Sequence, residues 1–359
     1  MSSVHVVVPD GIEDPTRPSG GNRYDHRVCQ ALAAAGWTVN IHPVAGSWPW
    51  PDVVARQALA RLIHDIPDGA AMLVDGLIAS TVPAVLVPEA RRLRLVVLLH
   101  MLLGDDPPGH RVVDADTGES AVLAAASQIV VPSVWMRERL LTRYPVESAR
   151  VHVAEPGVDV AHRVSGTEAG DRLLCVAAVT AHKGHDLLVS ALAANADRQW
   201  GCAFVGTVHR EPEFVRSLRR QAEVAGIGER ICFLGARTGG ELDQAYASAD
   251  LLVLASRAES YGMVVTEALA RGLPVIATAV GGVPEALGRT SSAGRPGLLV
   301  RPGDRQALAE ALADWLGHAD LRQQLRSAAR ERRTTLSGWT STADRIAAVL
   351  TESRAGAAA

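Results

Sequence analysis

Glu259 and Glu267 lie eight positions apart in the run ESYGMVVTE, with Gly262 between them. ADLLVLAS before the run and LPVIAT after it read as strands, and Met263 to Ala270 reads as the start of a helix. A glycine at a strand-to-helix turn lets backbone amides come close to a ligand. The helix N-terminus behind it offers unpaired N–H groups and the positive end of its dipole to an anion. Glutamates beside an anion site cannot bind the anion, but they suit hydroxyls, which donate to carboxylate oxygens. A phosphate flanked by hydroxyls on both sides describes a nucleotide sugar. The same residues also fit a buried βαβ unit carrying two solvated glutamates.

Lys183 follows a strand in AHKG and precedes the helix-like HDLLVSALAA. A cation at a helix N-terminus is repelled by the dipole, and a bound diphosphate would resolve that conflict. The alternative is an exposed lysine beside a glycine turn. Gly20 and Gly21 fall in a long loop after the first strand, PDGIEDPTRPSGGNRYD, where adjacent glycines permit positive φ and close backbone approach. His100 ends the strand LRLVVLLH, a position that also suits a hydrogen-bonded structural histidine. Asp105 and Asp106 follow in MLLGDDPPGH; with no second carboxylate cluster near them in sequence, no metal is expected. The four cysteines, Cys29, Cys175, Cys202 and Cys232, are dispersed and read as small buried hydrophobes.

The elements that position these residues repeat. Six strand candidates occur in each half: VHVVV, WTVNIHPV, AMLVD, LRLVVLLH, QIVVPS and VHVAEPG, then LLCVAAV, GCAFVG, RICFLG, DLLVLAS, LPVIAT and GLLVRP. Amphipathic helical patterns lie between them, which predicts parallel sheets with crossover helices. The expected fold class is α/β, with a polar break near GVDVAHRVSGTEAGDR separating domains over 1–160 and 170–335. A last helix, about 338–353, is expected to pack on the first domain, with ESRAGAAA as a frayed tail. In such sheets ligands bind beyond the carboxyl ends of the strands, where all the loops named above fall.

Composition bounds the function. At 359 residues the chain exceeds one core's usual range, and 48% hydrophobic with 21% charged residues describes a globular protein. A net charge of -3 gives no case for a nucleic-acid partner. No stretch reaches the roughly 18–20 apolar residues of a membrane span, and MSSVHVVVPDG lacks a signal peptide's features. A cytoplasmic location is expected, and the basic stretches ARRLRL and VWMRERLLTRY read as solvated helix faces rather than a membrane contact.

The segment from Glu241 to Leu287 resembles the signature of the retaining glycosyltransferases of family 4, which have the GT-B fold: two doubly wound Rossmann-like domains facing across a cleft. VAAVTAHKGHDLLVSAL and PGLLVRPGDRQALAEAL resemble further family segments, as do the Gly-Gly loop and the strand ending in His100. The resemblance is strong from about Leu173 to Leu316 and weaker before Val151. It implies a first domain for the acceptor and a second for a nucleoside-diphosphate sugar, UDP before GDP. By this resemblance Lys183, Glu259 and His100 act at the reacting centre. Gly20, Gly21, Arg237, Ser260, Tyr261, Gly262, Met263, Val264 and Glu267 contact the donor, Glu267 at the ribose hydroxyls and Glu259 at the sugar. Asn22, Arg23, Asp25, His100 and Asp105 are candidates for a small-molecule or lipid-linked acceptor, and neither metal nor cofactor is implied.

One departure stands out. The family places a Gly-Arg pair where this chain has Ala177 and Ala178, so one of two phosphate-binding cations is missing; His182, Arg237 or Arg257 are the candidates to replace it. A protein that binds a nucleotide sugar without transferring it, or an epimerase of the same fold, remains the alternative.

Overall fold

A computed structural model describes residues 2–14, 18–103, 110–292 and 294–355, with backbone alone at 110–115 and 353–355. The chain forms two compact units, one of Met1–Asp14, Ser19–Gly157 and Ser337–Ala359, the other of Pro15–Pro18 and Val158–Leu336.

In the first unit β1 (Ser3–Pro9), β2 (Thr38–Val44), β3 (Ala71–Asp75), β4 (Arg94–Leu98), β5 (Gln128–Val131) and β6 (Val151–Val153) form a sheet of order β2-β1-β3-β4-β5-β6. Every pairing is parallel, with Val6 opposite Ile41 and Leu73, and Val97 opposite Ile129. Helices α1 (Gly20–Ala34), α2 (Val53–His64), α3 (Gly76–Ala79), α4 (Pro83–Glu89), α5 (His110–Ala125) and α6 (Val134–Arg143) connect the strands. β3 is buried at all five positions, its apolar run Ala71–Val74 and the closing Asp75 alike, as expected of a central strand covered on both faces. Met72, Val74, Leu95 and Val97 pack there with Leu59 and Ile63 of α2.

The second unit repeats the plan. β7 (Arg172–Val176), β8 (Gly201–Val205), β9 (Ile231–Gly235), β10 (Leu251–Leu254), β11 (Val275–Thr278) and β12 (Gly297–Val300) give the order β12-β11-β10-β7-β8-β9, again all parallel. Its helices are α7 (His185–Ala193), α8 (Pro212–Val224), α9 (Gly239–Ala247), α10 (Met263–Ala270), α11 (Val283–Leu287), α12 (Arg305–Gly317) and α13 (Ala319–Arg333). One face of the sheet packs Leu188, Leu192, Leu312 and Trp315; the other packs Tyr246, Val265, Leu269 and Val283. The polar segment before β7 is tied down by Asp250, which accepts from Thr167 Oγ1 at 2.7 Å and from the Arg172 amide at 3.0 Å.

The last helix, α14 (Trp339–Ala355), belongs to the first unit, where it packs on α1 and where Thr342 Oγ1 donates to the Glu155 carbonyl at 2.8 Å. It runs through Glu352–Ala355, which the sequence reading assigns to a tail. Two other expectations are corrected. Gly20 and Gly21 do not lie in a loop: Ser19 caps the Asn22 amide at 3.1 Å, so the glycines open α1 with negative φ. Cys232 is exposed because β9 is an edge strand, while the other three cysteines are buried.

Candidate active site

In each sheet the chain winds outward in both directions from one pair of strands, and at that switch point the turns diverge and leave a crevice. In the second unit the pair is β7 and β10. Lys183 follows β7 and Glu259 follows β10, and Lys183 Nζ donates to Glu259 Oε1 at 2.6 Å. Ser256 Oγ donates to the same oxygen at 2.8 Å. The carboxylate thus meets the conflict between a lysine and the N-terminus of α7, which the sequence suggests a bound diphosphate would resolve. Glycine is required here: Gly184, at φ 67°, lies so close that a Cβ would sit 1.9 Å from the Ala255 carbonyl oxygen.

Gly262 caps α10 at φ 93°, so the amides of Met263 and Val264 head a helix, as the sequence predicts. Ser260 and Tyr261 precede it in the same turn, Tyr261 buried. One turn into α10, Glu267 is 6% exposed and its Oε2 accepts from the Tyr246 hydroxyl at 2.9 Å. A carboxylate has about four acceptor sites, the chemistry that ligand hydroxyls need. The strand next to β10 supplies a third turn: Thr278 Oγ1 donates to the Ser256 carbonyl at 2.5 Å, and the Gly282 amide to the Glu259 carbonyl at 3.2 Å. The anion-binding features, the cation and both carboxylates therefore arise from three adjacent strand ends.

The proposed substitutes for the missing arginine are otherwise engaged. Arg257 makes a two-pronged pair with Asp186 at 2.8 and 2.6 Å, and Arg237 binds Glu241 at 2.6 Å. His182 meets Thr180 Oγ1 at 3.2 Å, and burial followed by the nearby Lys183 charge holds its pKa below the usual value. Arg237 instead lines a groove of about 560 Å³ with Leu173, Cys202 and Cys232, a groove that neither Lys183 nor Glu259 lines. Ala178 is half-buried on the loop after β7.

In the first unit the switch point is β1 and β3. Asp25 reaches it from α1, Asp75 ends β3, and His100 lies two residues beyond β4. His100 Nε2 lies 2.7 Å from Asp25 Oδ1 and 3.6 Å from Asp75 Oδ2. Asp25 and Asp75 are 1% and 3% exposed. Burial pushes the Asp25 carboxyl up to about 7 and holds Asp75 well above the carboxylate range, while burial lowers His100. Candidate ligand atoms of the three lie within 4.8 Å of one another, but the 2.7 Å contact is a hydrogen bond between ring and carboxylate. Gly21 lies against the histidine: a Cβ there would stand 3.2 Å from its Cδ2. Tyr24 packs edge-on to the ring at 5.0 Å.

Asp25 is thus a buried partner of His100. Gly20, Asn22 and Arg23 stand on the first turn of α1 and are not fully buried. Asp105 and Asp106 lie outside the described residues. The sequence reading missed Asp75 and Tyr246. The signal for Asp75 was a carboxylate closing an otherwise apolar strand; Tyr246, in AYASAD, carried none beyond its hydroxyl.

Residues 161–332 match the model of the family described as glycosyl transferases group 1. The D-inositol 3-phosphate glycosyltransferase 1 of Catenulispora acidiphila is 32% identical over 74% of this chain and 68% of its own length. The D-inositol 3-phosphate glycosyltransferase of Salinispora tropica is 33% identical over 67% of this chain, which spans 53% of that relative. Among solved structures, a sucrose-phosphate synthase from Thermosynechococcus elongatus superposes with a TM-score of 0.80 at 21% identity, covering 100% of both chains. Anabaena HepE in complex with UDP-glucose gives 0.74 at 18% identity over 98% of this chain and 100% of its own. At these identities the solved structures speak for the fold. Among the described residues, no helix is long and apolar enough to cross a membrane.

Proposed function

This chain belongs to the glycosyl transferases group 1 and is a glycosyltransferase of GT-B fold; we propose that it moves a hexose-type sugar from a nucleoside-diphosphate donor to a hydroxyl acceptor with retention and without a metal. The observation that carries this reading is the Lys183–Glu259 pair at the second unit's switch point, at 2.6 Å and just ahead of α10. UDP is the first choice of nucleotide and GDP the next, which accords with a neighbouring fold that binds UDP-glucose.

In this reading the diphosphate takes Lys183 Nζ and the first amides of α10, the sugar hydroxyls donate to Glu259, and the ribose hydroxyls donate to Glu267. The bond from the anomeric carbon to the diphosphate oxygen breaks, and the acceptor oxygen bonds to that carbon on the same face. The departing phosphate takes the acceptor's proton. The protein stabilises the leaving group and orients the reactants, so no side chain serves as general base. In the first unit, His100, Asn22 and Arg23 serve the acceptor, and Gly20 and Gly21 serve the donor. The relatives' names make D-inositol 3-phosphate the first acceptor to try, before other small molecules and lipid-linked ones. A cytoplasmic location is part of this reading.

A second reading, donor binding without turnover, is favoured by one observation: Arg237 and Arg257 are held by Glu241 and Asp186. Incubation with UDP-glucose, GDP-mannose and related donors separates the two. A transferase is expected to release free nucleoside diphosphate slowly even without acceptor, and faster with one. Saturable binding with no release under either condition would establish the second reading and overturn the first.

A further inference from the structure

Asp25 and Asp75 are two carboxyl groups buried together, and an ionised carboxylate can only accept hydrogen bonds. Their oxygens and a His100 ring nitrogen lie within 4.8 Å of one another, and burial raises both carboxyls, so a proton held between the two acids is favoured over two adjacent buried charges. The surroundings decide which acid carries it. Asp75 Oδ1 already accepts from the Leu77 amide at 2.6 Å, leaving its other oxygen to hold the proton and donate. Asp25 receives Nε2 of His100 at 2.7 Å on Oδ1, and its Oδ2 is buried with no donor in reach other than such a proton. The chain Asp75–O–H to Asp25 carboxylate to His100 Nε2–H satisfies every one of these atoms. With Asp25 ionised, an unprotonated Nε2 would set a ring lone pair against a carboxylate at 2.7 Å.

We propose that Asp25, backed by a protonated Asp75, is a positioning residue that fixes His100 as the Nε2–H tautomer and so presents the Nδ1 lone pair to a hydroxyl of the glycosyl acceptor. The hydroxyl recipient rests on the transferase reading above; the tautomer does not. No partner for Nδ1 is found among the described residues. The ring is held from its other sides by Gly21 against Cδ2 and by Tyr24, whose hydroxyl is committed to the Ala154 carbonyl at 2.7 Å. Among the described residues, the titratable groups facing His100 from the packed elements are Asp25 and Tyr24 on α1 and Asp75 on β3, with Cys29 one turn further along α1. A buried carboxylate that sets a histidine tautomer in this way can govern activity strongly, because the wrong tautomer offers an N–H where a lone pair is needed.

The test is nitrogen NMR on histidine-labelled protein, with His100→Gln to assign the ring. Wild type is expected to show His100 protonated at Nε2 and bare at Nδ1. Asp25→Asn should populate the Nδ1–H form, because the new amide can donate to Nε2. Asp75→Asn should leave the wild-type tautomer, because its amide mimics the protonated acid: it accepts from Leu77 and donates to Asp25. An Nδ1–H wild type, or an Asp75→Asn variant as disturbed as Asp25→Asn, overturns the proposal. So does a His100 resonance that moves on adding zinc or chelator, which would make the cluster a cation site. With an acceptor in hand, Asp25→Asn should lower kcat about tenfold or more with donor KM unchanged. If the tautomers come out as stated but no transfer occurs, the transferase reading fails and the positioning assignment stands.

Discussion

Replacing Lys183 with alanine is expected to lower turnover at least about a hundredfold while leaving the fold intact. The side chain sits at a strand-end turn and is 21% exposed, so its loss opens no cavity in the core. Its removal takes away a cation at the second unit's switch point whose partner among the described residues, Glu259, belongs to the site itself. Arg257 is engaged by Asp186 and Arg237 by Glu241. A charge-assisted contact is worth about 1.5–3 kcal/mol, and a contact made to charge that develops in the transition state about 3–4 kcal/mol. A hundredfold corresponds to roughly 2.7 kcal/mol, within that range. The variant also leaves Glu259 facing the incoming phosphates without its partner, which adds to the loss. Steady-state release of nucleoside diphosphate measures it. Ala178→Arg in the same background should recover part of the rate, because Ala178 is half-buried on the adjoining loop. Near-normal turnover in Lys183→Ala would show that another cation holds the phosphates.

Gly281→Ala is expected to be the most destabilising single methyl added near the site. The glycine adopts φ 53°, and a Cβ on it would lie 1.6 Å from the Glu259 carbonyl oxygen. Backbone cannot swing away as a side chain can, so the turn after β11 must part from the turn that carries Glu259. The left-handed conformation alone costs about 1 kcal/mol for a residue with a Cβ. The collision brings the total to about 3 kcal/mol or more, the range of backbone strain and overpacking. For a unit of this size that lowers the melting temperature by about 6–12 °C. Gly303→Ala is the control, since Gly303 has φ 73° but nothing within 4 Å of a Cβ. It should show the conformational cost only. Equal melting temperatures for the two variants would mean that the contact at Glu259 is not a constraint. Donor binding by Gly281→Ala should weaken as well, because the displaced backbone carries Glu259.

Much of this was legible from the chain because parallel strands announce themselves as apolar runs and because their carboxyl ends are where ligands bind. All twelve strands, and the α10 start at Met263 behind Gly262, follow from that pattern. Lys183 and Glu259 were singled out separately, but their direct pairing was not. Sequence separates them by 76 positions, and only the order β10-β7 makes their turns neighbours. The same holds for Asp25, Asp75 and His100, which come from three elements joined by the order β1-β3-β4. Gly20 and Gly21 were misplaced because a Gly-Gly pair weighs toward loop by propensity, while the Ser19 cap and the packing of Tyr24, Val28 and Leu32 outweigh it. Cys232 was misjudged because an apolar strand residue is buried only where a helix covers it.

Calorimetric titration of UDP against 2′,3′-dideoxy-UDP tests most directly whether the second unit holds a nucleoside diphosphate with its ribose at Glu267. Wild type should prefer UDP, and Glu267→Ala should lose about 1.5–3 kcal/mol of UDP binding, as expected for a hydrogen bond to a charged group. Because Glu267 also holds the Tyr246 hydroxyl, Tyr246→Phe serves as the control and should keep most of the preference for UDP. The dideoxy nucleotide should bind wild type and Glu267→Ala alike. A Glu267→Ala protein that still separated ribose from dideoxyribose as wild type does would contradict the assignment and, with it, the placement of the donor along α10.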